Sequence, residues 1–417
     1  MIAGCSGLAE MMNFPGVVAG DPLCLDKLAV VGDRPIDGHC PGLVGRDLCA
    51  YVASGIGSDH ECTTLDEARE KLRRGLVIMI REGSQARNLD ALLPLVTPAT
   101  LDRFMFVTDD KDVDDLLAEG QIDHMIRRAI AAGLDPIHAV KLATINPARY
   151  FGLGHLGAVA PGRIASLAIL EDLTDCRVTR TYHAGQLVAE DGVGIDRYAD
   201  RRPRPVLRSS INVQWLELEQ FRIPAPAADV ARAHVIEVRE DRIDTERAVE
   251  TLTAVEGCLP ADPSRDLAKL AVIERHQASG RTGLGFVRGF GLTQGAIASS
   301  VGHDAHNLVI AGVSDEDMLA AAIQLVKMRG GFCAVSNGEV LADVPLPIGG
   351  LMSDVDAETL SRQLRSLHEA TAPIAPALRR PFMALAFLSL SVIGKLKLTD
   401  QGLIDVERFE RIDLLAS

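Results

Sequence analysis

Nothing in this chain pairs its cysteines. The eight thiols fall at positions 5, 24, 40, 49, 62, 176, 258 and 333 with no C-x-x-C among them. That excludes zinc-knuckle and thioredoxin-type motifs and leaves reduced, mostly buried thiols of a cytoplasmic protein as the reading. Aromatic residues make up only 4% of the chain, so stacking platforms for single-stranded nucleic acid are few. Positive charge is in deficit: the net charge of −14 and pI near 5.3 argue against a nucleic-acid or anionic-membrane surface. Long apolar runs are missing as well. The longest, Phe382 to Gly394, falls short of the ~20 residues that span a bilayer. No Lys or Arg precedes Lys27, and Glu10 sits in the first apolar stretch, so no secretory signal is expected. There is no internal repeat and no low-complexity tract. A soluble chain without nucleic-acid or membrane partners is the expectation.

What is present is a series of apolar runs that end in candidate metal ligands. Leu8-Ala9-Glu10 is followed by Pro35 to His39, then by Gly55 to Glu61, and finally by Arg103 to Asp110. Helix-like segments separate them. Asp21 to Val31 reads as a helix whose last four residues fit either its buried end or a strand. Pro15-Gly16 is expected to break the run before it. Gly45 to Ser54 has helical spacing, and Thr64 with Glu67 forms a capping box for a helix through Arg74. Leu76 to Ile80 is a buried strand that ends in Arg81-Glu82. Asn88 to Leu95 reads as a helix and Phe104 to Thr108 as a strand. Two amphipathic helices follow, near Asp123 to Ala132 and Pro136 to Thr144, with Asn146-Pro147 expected to end the second. This alternation is the signature of an α/β barrel, where residues just past the strand ends converge on one mouth. One or two divalent metals could be held there.

At 417 residues two or three domains are expected. Residues 1–152 read as a domain of alternating strands and helices, and 153–205 as a small β segment ending in the Pro- and Arg-rich linker Asp200 to Pro205. Residues 206–417 read as an α+β domain. Thr282 to Gly285 and Gly289 to Gly291 are glycine-rich without a phosphate-loop context, and read as tight turns.

Glu10-Met11-Met12-Asn13, Asp37-Gly38-His39-Cys40-Pro41-Gly42, Ser58-Asp59-His60-Glu61, Ile80 to Ser84 and Thr108-Asp109-Asp110 resemble the adenine deaminase family of the amidohydrolase superfamily. Gly289 to Leu292, Ala296 to Ser300, His303 to Asn307, Pro345 to Ile348 and Leu396 to Asp400 extend the likeness almost to the C-terminus, in the family's order. The resemblance implies an amidohydrolase-type barrel with a small β domain and an α+β C-terminal domain. It implies a homo-oligomer that hydrolyses adenine to hypoxanthine and ammonia in purine salvage, with a binuclear manganese or iron site. Glu10 then stands for the carboxylate after the fourth barrel strand, His39 and His60 for the imidazoles after the fifth and sixth, and Asp109 for the eighth-strand aspartate that binds metal and shuttles a proton.

The superfamily's first strand carries a His-x-His pair, and no His-x-His occurs in this sequence. On that register the chain starts at the fourth strand, so the resemblance implies that residues 1–152 are the C-terminal portion of a metal-dependent (β/α)8 barrel, and an unpaired, exposed edge strand is expected. Glu61 and Glu82 are further catalytic candidates at strand ends. Each also has a structural reading: Glu61 as a helix N-terminal charge, Glu82 as the partner of Arg81. His303 and His306 either line the pocket or form a hydrogen-bonded loop, and the loop is preferred. Rival functions are an amidohydrolase acting on another cyclic amidine or amide, and a non-catalytic oligomerising chain. The nucleic-acid-editing zinc deaminases are disfavoured because H-x-E and P-C-x-x-C are both missing.

Overall fold

The structure is a computed structural model that describes residues 6–195, 210–227 and 229–416. The expected linker at 200–205 lies outside the described residues. The chain divides into two compact units, Met1–Arg204 and Pro205–Ser417.

In the first unit five parallel strands follow chain order. β1 (Leu8–Met11) pairs with β2 (Ile36–Gly38), and β3 (Ser58–Asp59), β4 (Val77–Arg81) and β5 (Phe104–Val107) form a second ladder. Gly57 N donates to the Ile36 carbonyl at 3.0 Å and Gly38 N to Ser58 Oγ at 3.3 Å, which closes the gap between the two ladders. Helices pack on one face of this wall. Ile78, Ile80, Phe104 and Phe106 meet Leu89, Leu92, Met125, Ala129 and Leu142 in one apolar cluster. Met11, Ile36 and Ile56 meet Val17, Leu28, Leu48 and Tyr51 in another. The strands β6 (Leu167–Leu170), β7 (Val178–His183), β8 (Gln186–Glu190) and β9 (Val193–Gly194) form a separate antiparallel sheet in chain order.

Two local expectations are corrected and one open reading is settled. Pro15-Gly16 does not break the chain; it opens a helix, Phe14–Ala19. Proline in a first turn gives up an N–H that has no helical partner anyway, and the Asn13 side chain caps Gly16 N at 2.9 Å. Asn146-Pro147 does not terminate a helix either. The helix Pro136–Ala143 ends at Thr144, and Pro147 lies in the first turn of the next helix, Ile145–Tyr150. The ambiguous Leu28 to Val31 belongs to the helix Pro22–Val31.

The second unit is built on an eight-stranded sheet. Its strands are β10 (Val230–Glu237), β11 (Glu246–Thr253), β12 (Ala268–Ile273), β13 (Thr282–Arg288), β14 (Ala296–Ser299), β15 (Leu308–Gly312), β16 (Gly331–Ser336) and β17 (Glu339–Pro345). The order is β11-β10-β13-β12-β15-β14-β16-β17, antiparallel except where β10 meets β13. The helix Asp315–Lys327, capped by Ser314, lays Met318, Ala321, Ala322 and Leu325 on this sheet. A three-stranded sheet, β18 (Leu396–Thr399), β19 (Gly402–Asp405) and β20 (Glu410–Ile412), completes it. Thr282 to Gly285 is therefore strand and not a turn. A Cβ at Gly283 would overlap the Thr399 carbonyl oxygen, so glycine serves close approach there. Gly289 and Gly291 do have left-handed φ, 107° and 64°, as a turn requires.

Candidate metal centre

Each wall strand delivers a polar residue at or just past its C-terminal end. Alternation along a strand sends neighbouring side chains to opposite faces, so Asp59 points to the helix side while His60 faces the mouth. Glu10 Oε2 lies 3.2 Å from both His39 Nδ1 and His60 Nε2. Glu61 Oε1 lies 3.5 Å and 3.4 Å from the same two nitrogens. The imidazole centroids are 5.3 Å apart.

These spacings fit a divalent cation. Two ligand atoms each ~2.1 Å from one ion stand roughly 3.0–3.4 Å apart in octahedral or tetrahedral geometry. His39 is only 2% exposed, yet neither ring nitrogen has an aligned hydrogen-bond partner among the protein groups. A buried imidazole left that way is costly. A cation between the nitrogens and the carboxylate would use the lone pair. Glu10, His39 and His60 form one group of candidate ligands, and His60, Glu61 and Asp109 a second.

Asp109 follows β5 with φ 58°, a left-handed conformation that aspartate tolerates through a local hydrogen bond. Here Asp110 N donates to its Oδ1 at 2.7 Å. Oδ2 accepts from Arg81 Nη1 at 2.7 Å and lies 3.8 Å from His60 Nε2. Arg81 also forks onto Glu61, with Nη1 at 2.6 Å and Nη2 at 3.0 Å. Burial would raise the Glu61 carboxyl, but Arg81 and the imidazoles outweigh it and hold it at about 2. Burial would lower His60, but the carboxylates of Glu10 and Glu61 push it up to about 10. The same contacts with His39 and His60 overcome burial at Glu10 and keep it below the usual carboxylate range.

The structure does not bring Glu82 into this group. Its carboxylate pairs with Arg128 and accepts from Leu89 N at 3.2 Å, with burial raising it. The expected Arg81–Glu82 pair does not form; each partner turns to another strand or helix. His303 stacks on Phe387 with centroids 4.4 Å apart, and His306 Nδ1 lies 3.3 Å from Gly302 N, so both sit in a bonded loop of the second unit.

Sequence reasoning missed what lies beneath the ligands. Asp59 is fully buried and accepts from Cys40 N (2.9 Å), Glu61 N (3.1 Å), the thiols of Cys40 and Cys62 (3.3 and 3.2 Å) and Lys71 Nζ (2.9 Å). Lys71 Nζ also donates to the Cys40 carbonyl and Glu67 Oε1, both at 2.7 Å. Burial alone would lower the Lys71 ammonium, but Asp59 outweighs it and holds it above its usual range. Thr64 caps the helix as expected, with Glu67 N donating to its Oγ1 at 3.3 Å, but the reciprocal half of the box shifts by one residue. Glu67 Oε2 accepts from Thr63 N, not Thr64 N, while its other oxygen serves Lys71. A lysine one helical turn from buried Ala68 on the helix Leu65–Arg73 was the available signal. Above this layer Tyr51 Oη donates to the Met11 carbonyl at 2.7 Å and accepts from His39 N at 3.0 Å, tying β1 to β2. Gly38 brings β2 against β3, since a Cβ there would overlap the Ser58 carbonyl oxygen.

A parallel wall with imidazoles and carboxylates at its strand ends is the arrangement of an amidohydrolase, and residues 8–188 match the amidohydrolase family. Residues 242–410 match the adenine deaminase C-terminal domain. An adenine deaminase of Dehalococcoides mccartyi is 44% identical over 407 residues, covering 98% of this chain and 71% of the relative. One from Desulfatibacillum aliphaticivorans is 46% identical over 410 residues with the same coverages, 98% and 71%. One from Methylobacterium nodulans is 46% identical over 402 residues, 96% of this chain and 70% of the relative. The chain belongs to the adenine deaminase family.

Proposed function

We propose that the chain is a hydrolase that converts adenine and water to hypoxanthine and ammonia, using a divalent metal held by Glu10, His39 and His60. The observation that carries this reading is the convergence of those three donor groups at ligand spacing, in a chain of this family. Manganese or iron is the metal that the family resemblance implies, and purine salvage the setting. A bound divalent metal lowers the pKa of water towards ~7, so that hydroxide is available at neutral pH.

The protein's own part is proton handling and positioning. Replacing the exocyclic amine requires a proton to leave the attacking water and another to reach the departing nitrogen. Glu61 is fixed by a two-pronged Arg81 contact and is held at about 2, so it stays anionic and serves as an electrostatic support. Asp109 suits the shuttle: its carboxyl is 31% exposed at the mouth and lies beside His60. We assign Glu82 to holding Arg128 and the Leu89 turn, not to the reaction. Residues 1–152, 153–205 and 206–417 remain the domain division we propose. A cytoplasmic location suits the seven described cysteines, all free. No described helix is long and apolar enough to cross a membrane.

The test is ammonia release from adenine after loading with manganese or ferrous iron. We expect turnover that His60→Ala reduces by on the order of 10³-fold or more. Undiminished turnover in that variant would overturn the site assignment. Turnover of another cyclic amidine and none of adenine would overturn the substrate.

A further inference from the structure

We propose that this chain holds one divalent ion, at Glu10, His39 and His60, and that the Arg81 guanidinium takes the place a second ion would have between Glu61 and Asp109. The inference rests on the metal-dependent reading above and departs from the binuclear occupancy that the family resemblance implies.

The two groups of candidate ligands are not independent. His60 belongs to both, and Nε2 has a single lone pair, which serves one ion. Glu10 and His39 complete the first group, leaving Glu61 and Asp109 as the donors that only the second group contains. Those two carboxylates are already bridged. Arg81 Nη1 donates to Glu61 Oε1 at 2.6 Å and to Asp109 Oδ2 at 2.7 Å. An ion joining the same two oxygens would have to stand where Nη1 stands. Nη2 adds a bond to Glu61 Oε2 at 3.0 Å, so the fork is held at three points. The residue is 3% exposed and anchored in β4 between β3 and β5.

The experiment is a manganese(II) titration of the chelator-stripped chain, followed by electron paramagnetic resonance, which separates bound from free ion and shows whether bound ions are spin-coupled neighbours. One bound manganese per chain with an uncoupled spectrum is expected. Two, or a spin-coupled pair, would overturn the proposal and leave the metal-dependent reading standing. None would overturn that reading, and the proposal with it. Arg81→Gln, which removes the charge, is expected to admit a second, spin-coupled ion, while Arg81→Lys stays at one. A folded Arg81→Gln chain that still takes one ion would also overturn the proposal. If Arg81→Gln fails to fold, the ratios for the unaltered chain and Arg81→Lys decide.

Discussion

Replacing Lys71 by methionine removes the ammonium that Asp59 faces while nearly preserving side-chain volume. Both groups are fully buried, and Lys71 Nζ sits 2.9 Å from Asp59 Oδ2. Breaking a buried pair by removing one partner costs about 3–5 kcal/mol, because the other charge stays behind unpaired. Asp59 keeps its bonds from Cys40 N, Glu61 N and the two thiols, which places the expected loss near the lower end, about 3 kcal/mol. The sign of its pH dependence follows from the two folded states. In the unaltered chain burial would raise Asp59, but Lys71 outweighs it and depresses the carboxyl. Its contribution to stability is therefore fully present above the unfolded value of ~3.9 and is lost as pH falls through the depressed value. In the variant the largest force opposing burial is gone and the folded carboxyl rises. That contribution is present below ~3.9 and is lost as pH rises through the raised value. The gap between the two proteins should be widest near neutrality and should narrow on acidification. Urea unfolding at pH 7 and below the unfolded carboxyl value, at about pH 3.5, read by amide exchange in β3 and β4 with chelator present, measures it. A loss under ~1 kcal/mol at pH 7, or a gap that fails to narrow at the acidic pH, would refute the reasoning.

Three further outcomes are expected. Asp109→Asn should lower turnover of adenine by roughly 10²–10⁴-fold, the range for a positioned proton carrier; a steady-state assay showing less than a tenfold change would move the shuttle elsewhere. Glu82→Gln should leave turnover within about threefold while lowering stability by about 1–3 kcal/mol, because Arg128 and Leu89 N lose a charged acceptor; thermal and kinetic measurements on one preparation separate the two effects. Lys397 is fully buried, donates to the Ile243 and Phe387 carbonyls at 3.1 and 2.8 Å, and is pushed down to about 7 by burial. Folding buries that amine in its charged form at a cost that is complete below pH about 7. The cost is relieved as pH rises towards the unfolded value of ~10.4. The unaltered chain should therefore gain stability relative to Lys397→Met across that alkaline window in chemical denaturation, and parallel curves would contradict the assignment.

The barrel strands were legible because each is a short apolar run with a polar residue at its end, and parallel strands buried on both faces read that way. Glu10, His39, His60 and Asp109 could be placed in βα order for the same reason. Glu82 misled because it stands at a strand end like the others. Only the fold shows that β4 directs Arg81 inward and leaves its neighbour to Arg128. Lys71 was invisible as a partner of Asp59 because a separation of twelve positions in sequence says nothing about distance. Pro15 and Pro147 were read as helix breakers on local grounds, and capping by Asn13 and anchoring of Asn146 Nδ2 on the Leu101 and Phe104 carbonyls at 2.8 Å reversed both readings.

Gly38 carries a consequence for how far this centre can drift. It precedes His39 on β2, and the carbonyl of Ser58 on β3 occupies the volume a methyl group would need. The interval between two imidazoles on different strands is thus set by the radius of one hydrogen atom. Substitution even by alanine would act as a spacer driven between the two strands. Variation around the centre is consequently free to alter what surrounds the ligands far more than the pitch at which β2 and β3 present them.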